Sequence, residues 1–117
     1  MAKKAKIDYD YENDVLYIYT GDKVKDSLQI EEFVVDFSTE NKVVGVEVMN
    51  ASQRLSSLSG LKLSKTVLSS VKDAAISIQQ GKEILYVFIL LTVVINKEKT
   101  YVRIPLVTPS PAIEITV

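Results

Sequence analysis

Four carboxylates at alternate positions, Asp8, Asp10, Glu12 and Asp14, are the first side chains in this chain with the means to do chemistry. Alternation along an extended strand brings such groups to one face, and clustered carboxylate oxygens suit a hard cation such as calcium. The spacing fails the test for a calcium-binding loop. Counted from Asp8, the position that needs Gly holds Asn13 and the position that needs a bidentate Glu holds Tyr19. The run therefore reads as carboxylates solvating a turn. A second pair, Asp36 and Glu47, sits inside apolar runs, where a charge is costly unless it is hydrogen-bonded. Paired carboxylates can hydrolyse glycosides. A hairpin register with Ser38 facing Lys42 would set these two on opposite faces, and the chain has no Trp to line a sugar groove. Asp36 and Glu47 are expected to accept backbone or Tyr hydrogen bonds.

Tyrosine is the third unusual feature, because Tyr9, Tyr11, Tyr17 and Tyr19 fall close together. Tyr17 and Tyr19 share a strand face with Val15, an amphipathic patch of the kind enriched at protein interfaces. The competing reading is a half-buried sheet face covered by a helix of the same chain. Stacking on single-stranded nucleic acid requires a basic groove around such aromatics, and the neighbours here are acidic.

With no His and no Cys, the commonest general bases, thiol nucleophiles and transition-metal ligands are missing. No cofactor is implied, and the chain reads as a non-enzyme. Fourteen basic side chains against fifteen acidic ones give a net charge of -1, too little field to draw in a phosphate backbone. Nucleic acid is not an expected partner. The opening Met1 to Lys6 is charged and runs into Ile7-Asp8-Tyr9-Asp10 without the apolar stretch of a signal peptide, so a cytoplasmic protein is expected.

The elements that must hold these residues are short strands. Alternating or apolar runs predict strands over Lys6 to Tyr9, Val15 to Thr20, Val24 to Ile30, Phe33 to Phe37 and Val43 to Met49. Asn41 suits the left-handed turn between the last two. In that hairpin Phe33, Val35 and Phe37 are expected to share a face with Val43, Gly45 and Glu47, with Gly45 opposite Val35. Short helices are predicted from Asn50 or Ser52 to just before Gly60, and from Ser64 to Val71. The pattern then returns to strand in a three-stranded meander from Ala75, through Ile84 to Ile95, to Tyr101 to Pro105. Thr108 to Pro111 should interrupt pairing, because proline lacks the amide donor. Ile113-Glu114-Ile115-Thr116-Val117 alternates as a terminal strand.

The expected fold is α+β and mainly β: antiparallel sheet of about seven or eight short strands with one or two short helices in the middle. One domain, 1–117, is expected, made of a strand-rich half (6–50), a helical joint (51–72) and a C-terminal meander with a terminal strand (73–117). The run Ile84 to Ile95 is too short to cross a bilayer as a helix, which needs about 20 residues, so no membrane partner is expected. A strand apolar at every position must be covered on both faces. A chain of 117 residues can hardly do that alone, which points to a homo-oligomer, a dimer or higher. The expected interface residues are Tyr17, Tyr19, Tyr86, Phe88, Ile113, Ile115 and Val117.

The stretch from Tyr9 to Ile18, followed by Phe33 to Phe37, Val43 to Val48 and Asn50-Ala51-Ser52, resembles a family of small prokaryotic proteins catalogued as a domain of unknown function. The matching residues are Tyr9, Asp10, Asp14, Leu16, Tyr17, Ile18, Asp36, Val44, Gly45, Glu47, Ala51 and Ser52. The resemblance covers about the first half of the chain. It implies a small sheet protein without an established activity, and no catalytic residue is carried over from it. Some relatives resemble the antitoxin half of toxin and antitoxin pairs. By that likeness an alternative partner is a small basic toxin held through the face of Asp8 to Asp14. A carboxylate-based metal binder or enzyme using Asp14, Asp36 and Glu47 is the remaining reading.

Overall fold

The structure is a computed structural model, and it describes residues 2–110. The protein is mainly β, as expected. Among the described residues eight strands, β1 (Ala2–Asp10), β2 (Val15–Tyr19), β3 (Asp26–Ile30), β4 (Phe33–Phe37), β5 (Val43–Val48), β6 (Asp73–Gln80), β7 (Ile84–Ile95) and β8 (Glu98–Pro109), form one antiparallel sheet. Their order is β3-β4-β5-β2-β1-β6-β7-β8. Two helices, α1 (Ala51–Ser59) and α2 (Lys65–Leu68), lie between β5 and β6.

The sheet curls because β1 serves two partners in turn. Its first residues, Ala2 to Ala5, pair with Ser77 to Ala74 of β6, and its later ones, Lys6 to Asp10, pair with Tyr19 to Val15 of β2. A strand that changes partner along its length turns a corner in the sheet. The two halves then enclose one core. Leu16, Ile18, Val35, Val46 and Val48 line it from the N-terminal half, and Val87, Ile89, Leu91, Val93 and Ile104 from the C-terminal half. Helix α1 fills the space between them with Ala51 and Leu55, packing toward β8, while α2 adds Leu68 against β7. Each large side chain of this kind stabilises the fold by about 1.5–3 kcal/mol when fully buried.

Local chemistry explains the turns. Asn96 and Lys97 both have positive φ, 51° and 66°, the arrangement of a two-residue hairpin turn matched to strand twist. Asn41 is left-handed, φ 59°, and the Ser38 amide donates to the Lys42 carbonyl at 2.8 Å, so the β4–β5 turn forms as its sequence predicts.

One step beyond that turn the expected register fails. Phe37 pairs with Val43, but Asp36 pairs with Gly45, so Val44 is an extra residue in β5. This bulge slips the rest of the hairpin by one position. Val35 therefore meets Val46 rather than Gly45, and Val34 meets Glu47. Asp36 and Glu47 accordingly share a face, where opposite faces were expected. The bulged Val44 carbonyl is used by the Thr20 amide at 2.8 Å, which ties the slip to β2.

Other strand limits also differ from expectation. Strand β1 starts at Ala2 because β6 offers a partner to its basic residues. Strand β3 begins only at Asp26, and as the edge strand it carries Asp26, Ser27 and Gln29 exposed. Helix α2 stops at Leu68, where Ser69, Ser70 and Val71 were expected to continue it. The pairing of β8 with β7 continues through Thr108 opposite Leu85 and Pro109 opposite Ile84. It survives the prolines because the Ser110 amide donates to the Glu83 carbonyl at 3.2 Å, so the even positions of β8 face β7. Pro105 and Pro109 thus turn their missing donors toward the edge of β8 that no other described strand pairs. Ile113, Ile115 and Val117, expected in a terminal strand, lie outside the described residues.

Candidate functional site

The residues singled out in the first half assemble into two hydrogen-bonded networks of the same composition, a tyrosine and a serine converging on one aspartate. In the first, Tyr9 Oη donates to Asp14 Oδ1 at 2.7 Å, and Ser52 Oγ donates to Asp14 Oδ2 at 2.6 Å. The Ser52 amide also reaches the carboxylate, at 3.0 Å, while the Ala51 amide donates to the Asp14 carbonyl at 2.9 Å.

Asp14 thereby caps helix α1 from a distant turn. Asn50 occupies the N-cap position in a left-handed conformation but makes no side-chain cap bond. A carboxylate accepting the second amide of a helix satisfies an orphan donor and faces the positive end of the helix dipole. Asn50 instead donates to Glu32, which also receives the Arg54 guanidinium, and this fastens the β3–β4 turn to the same helix end. Burial works against the Asp14 charge, yet the hydrogen bonds from Ser52 and Tyr9 outweigh it and hold the carboxyl below its ordinary range. Burial and the bond to Asp14 push the Tyr9 phenol up.

The second network stands on the outer face of the sheet. Tyr17 Oη donates to Asp36 Oδ2 at 2.7 Å and Ser27 Oγ donates to Asp36 Oδ1 at 2.6 Å, so an aspartate only 8% exposed has both oxygens satisfied. Tyr17 stands beside Glu47 in the ladder, and its hydroxyl reaches Asp36 by leaning over Gly45. A Cβ at position 45 would lie 2.8 Å from Asp36 Oδ2 and 3.0 Å from Tyr17 Oη. The glycine is there for this close approach. Tyr19, opposite Gly45, stacks on Tyr17 with centroids 4.8 Å apart and planes at 14°. Burial first, and the bond to Asp36 next, push the Tyr17 phenol up to about 12.

These networks account for Tyr9, Asp14, Tyr17, Asp36, Gly45, Ala51 and Ser52 as groups that hold strands, turn and helix together. Leu16 and Ile18 are fully buried core, and Val44 is the bulge. Asp10 caps its own turn by accepting from the Asn13 amide and side chain. Glu47, Asp8 and Asp10 surround a shallow depression of about 430 Å3 beside Val15 and Tyr17. Among the described residues no group of three or more His, Cys, Asp or Glu is placed to hold a metal ion. Asp14 and Asp36 belong to separate networks. Ser27 and Glu32 were missed by the sequence reading. An aspartate inside an apolar strand needs donors, and Ser27, the hydroxyl-bearing residue of the polar neighbouring strand, was the available signal.

The helix expected to cover Tyr17 and Tyr19 packs elsewhere: α1 and α2 both lie on the core side. Among the described residues the long strand β7 is likewise covered on one face only. Leu85, Val87, Ile89, Leu91 and Val93 are buried, whereas Ile84, Tyr86, Phe88, Leu90 and Val94 are half-buried. Beside this outer row, β8 presents Tyr101, 77% exposed opposite Thr92, and Val107, 47% exposed opposite Tyr86. Arg103 lays its guanidinium on the Phe88 ring, 3.9 Å from the centroid.

Among the described residues no helix is long and apolar enough to cross a membrane. No solved structure matches the chain. An uncharacterized protein of Methanocaldococcus jannaschii, MJ0789, is 49% identical over 51 residues, which is 43% of this chain and 44% of that one. A protein of Methanosarcina mazei named putative hypoxanthine phosphoribosyltransferase is 27% identical over 79 residues, 67% of this chain and 59% of that one. The matches thus span about half the length of these relatives. Residues 6–52 match the model of the family described as "Protein of unknown function (DUF2283)", a segment that contains every member of both tyrosine–aspartate–serine networks. Through this segment the chain is similar to the DUF2283 family.

Proposed function

We propose that this protein is a non-enzymatic interaction module of the cytoplasm that binds a second copy of itself through the outer face of β6, β7 and β8. The observation that carries the reading is the half-buried row Ile84, Tyr86, Phe88, Leu90 and Val94, flanked by Tyr101 and Val107 and covered by no other described element. Contiguous apolar surface of this kind marks an interaction site, and large aromatics with an arginine among them are the residues that dominate association energies. The prolines facing the free edge of β8 discourage strand addition there. A partner therefore meets the face rather than the edge. A second copy supplies the same apolar row, the self-complementary arrangement of a two-fold dimer.

Sedimentation equilibrium tests this. The expected result is a dimer that becomes monomeric in the Tyr86→Glu, Phe88→Glu double variant with its far-ultraviolet circular dichroism unchanged. A strict monomer at high concentration overturns the proposal.

A second reading is a regulatory binder of a small basic protein, as in an antitoxin. It draws on Asp8, Asp10 and Glu47 around the depression beside Tyr17. Charge complementarity of that kind governs on-rate and specificity. Replacing Asp8 and Glu47 by Lys would abolish such binding while leaving the dimer intact. The carboxylate-enzyme reading has the least support, since the Asp14 and Asp36 oxygens are engaged by hydroxyl donors.

A further inference from the structure

At one end of the curled sheet a cleft of about 550 Å3 opens between the β4–β5 turn and the adjoining ends of β6 and β7. Its floor is apolar. Val43, Val44, Ile76 and Leu85 form it, with half-buried Ile78 beside them. Its rim carries Lys3, Lys23 and Lys42 against Asp22 and Glu40. Lys3 is paired with Asp22 at 2.8 Å, and among the described residues Lys23 and Lys42 have no carboxylate within salt-bridge distance.

We propose that this cleft binds a small amphiphilic carboxylate, a molecule with the apolar body and acidic head of a medium-chain fatty acid. The volume falls in the roughly 300–1,000 Å3 range of small-molecule sites, and the mouth of a closed or curled sheet is a common place for one. The greasy floor accepts an alkyl body, whose transfer from water is favourable. The two rim lysines supply positive charge for the head.

A phosphate head fits less well. Anions of that kind are usually cradled by free backbone amides of a turn. Here the Ser38 hydroxyl already accepts from the amides of Glu40 and Lys42 at 3.2 and 3.3 Å. Flexible lysine ammonium groups remain, which suit a carboxylate on an alkyl chain. The cleft opens on the core side of the sheet, away from the outer row of β7, so its occupancy is independent of the dimer.

The test is a titration of the full chain, labelled at its Val and Ile methyl groups, with decanoate below its micellar concentration. Decanol and decyltrimethylammonium serve as comparisons. Saturating shifts of the Val43, Val44 and Ile78 methyls are expected with decanoate. Lys23→Gln with Lys42→Gln should weaken decanoate by about tenfold while leaving decanol unaffected, as expected for loss of a charge-assisted contact. Both lysines are on the rim, so the fold is preserved. Ile78→Glu, which sets a like charge beside the alkyl chain, should abolish the decanoate shifts. Absence of saturation, equal binding of decanoate by the lysine variants, or shifts confined to the outer face of β7 would overturn the proposal.

Discussion

Asp14 receives both the amide and the hydroxyl of Ser52, 38 residues later in the chain, so a hairpin turn supplies the cap of a helix to which it is not adjacent in sequence. This single contact makes the β1–β2 turn and the start of α1 one structural unit. Both ends of the contact lie within the matched family segment, which begins in β1 and runs on to residue 52. The expectations it sets are specific.

Asp14→Ala removes the helix cap and leaves the hydroxyls of Tyr9 and Ser52 without their acceptor, which should destabilise the protein by about 2 kcal/mol in urea unfolding. Ser52→Ala should cost less, and the double variant less than the sum, because both substitutions break the same network. The folded carboxyl sits below its unfolded value, so its contribution is complete above about pH 4 and is lost as pH falls through the lower folded pKa. Asp14→Asn should flatten the stability profile in that acid range.

Gly45→Ala should destabilise by about 1–3 kcal/mol, because the new methyl group lands on the Tyr17–Asp36 hydrogen bond and both partners must move. The loss should be accompanied by a fall in the Tyr17 pKa toward that of an ordinary phenol. Denaturant unfolding gives the first quantity and an ultraviolet titration the second.

In alkaline titration Tyr17 should ionise near pH 12, well above an ordinary phenol. Its folded pKa is raised above the unfolded value of 10.0, so its stabilisation is complete below about pH 10 and disappears as pH rises toward 12. Replacement by Phe should remove that late step from the absorbance curve and reduce the slope of stability against pH over the same interval.

Pro105→Thr with Pro109→Thr restores two donors to the free edge of β8. The double variant should form large assemblies by edge pairing, seen as concentration-dependent light scattering beyond that of the natural chain. A scattering profile identical to that of the natural chain would show that these prolines do not guard the edge.

The local chemistry of the chain fixed a good deal. Alternation in Val15–Tyr19 and Phe33–Phe37, the left-handed Asn41, the helix stop at Gly60 and the meander built around Ile84–Ile95 all depend on interactions within a few residues of each other, so they can be read directly. The expectation of a mainly antiparallel sheet with one or two short helices rests on the same signals.

Tertiary structure alone decided the rest. The Val44 bulge, which brought Asp36 and Glu47 onto one face, depends on Thr20 of a different hairpin taking the Val44 carbonyl. The partner change along β1 depends on β6, whose sequence lies beyond both helices. Ser27 meets Asp36, and Asp14 meets Ser52, only once strands and helix have packed. Periodicity reports which way a side chain points, because it arises from backbone geometry within one element. It carries no information on which distant group arrives opposite, since that is settled by packing between elements.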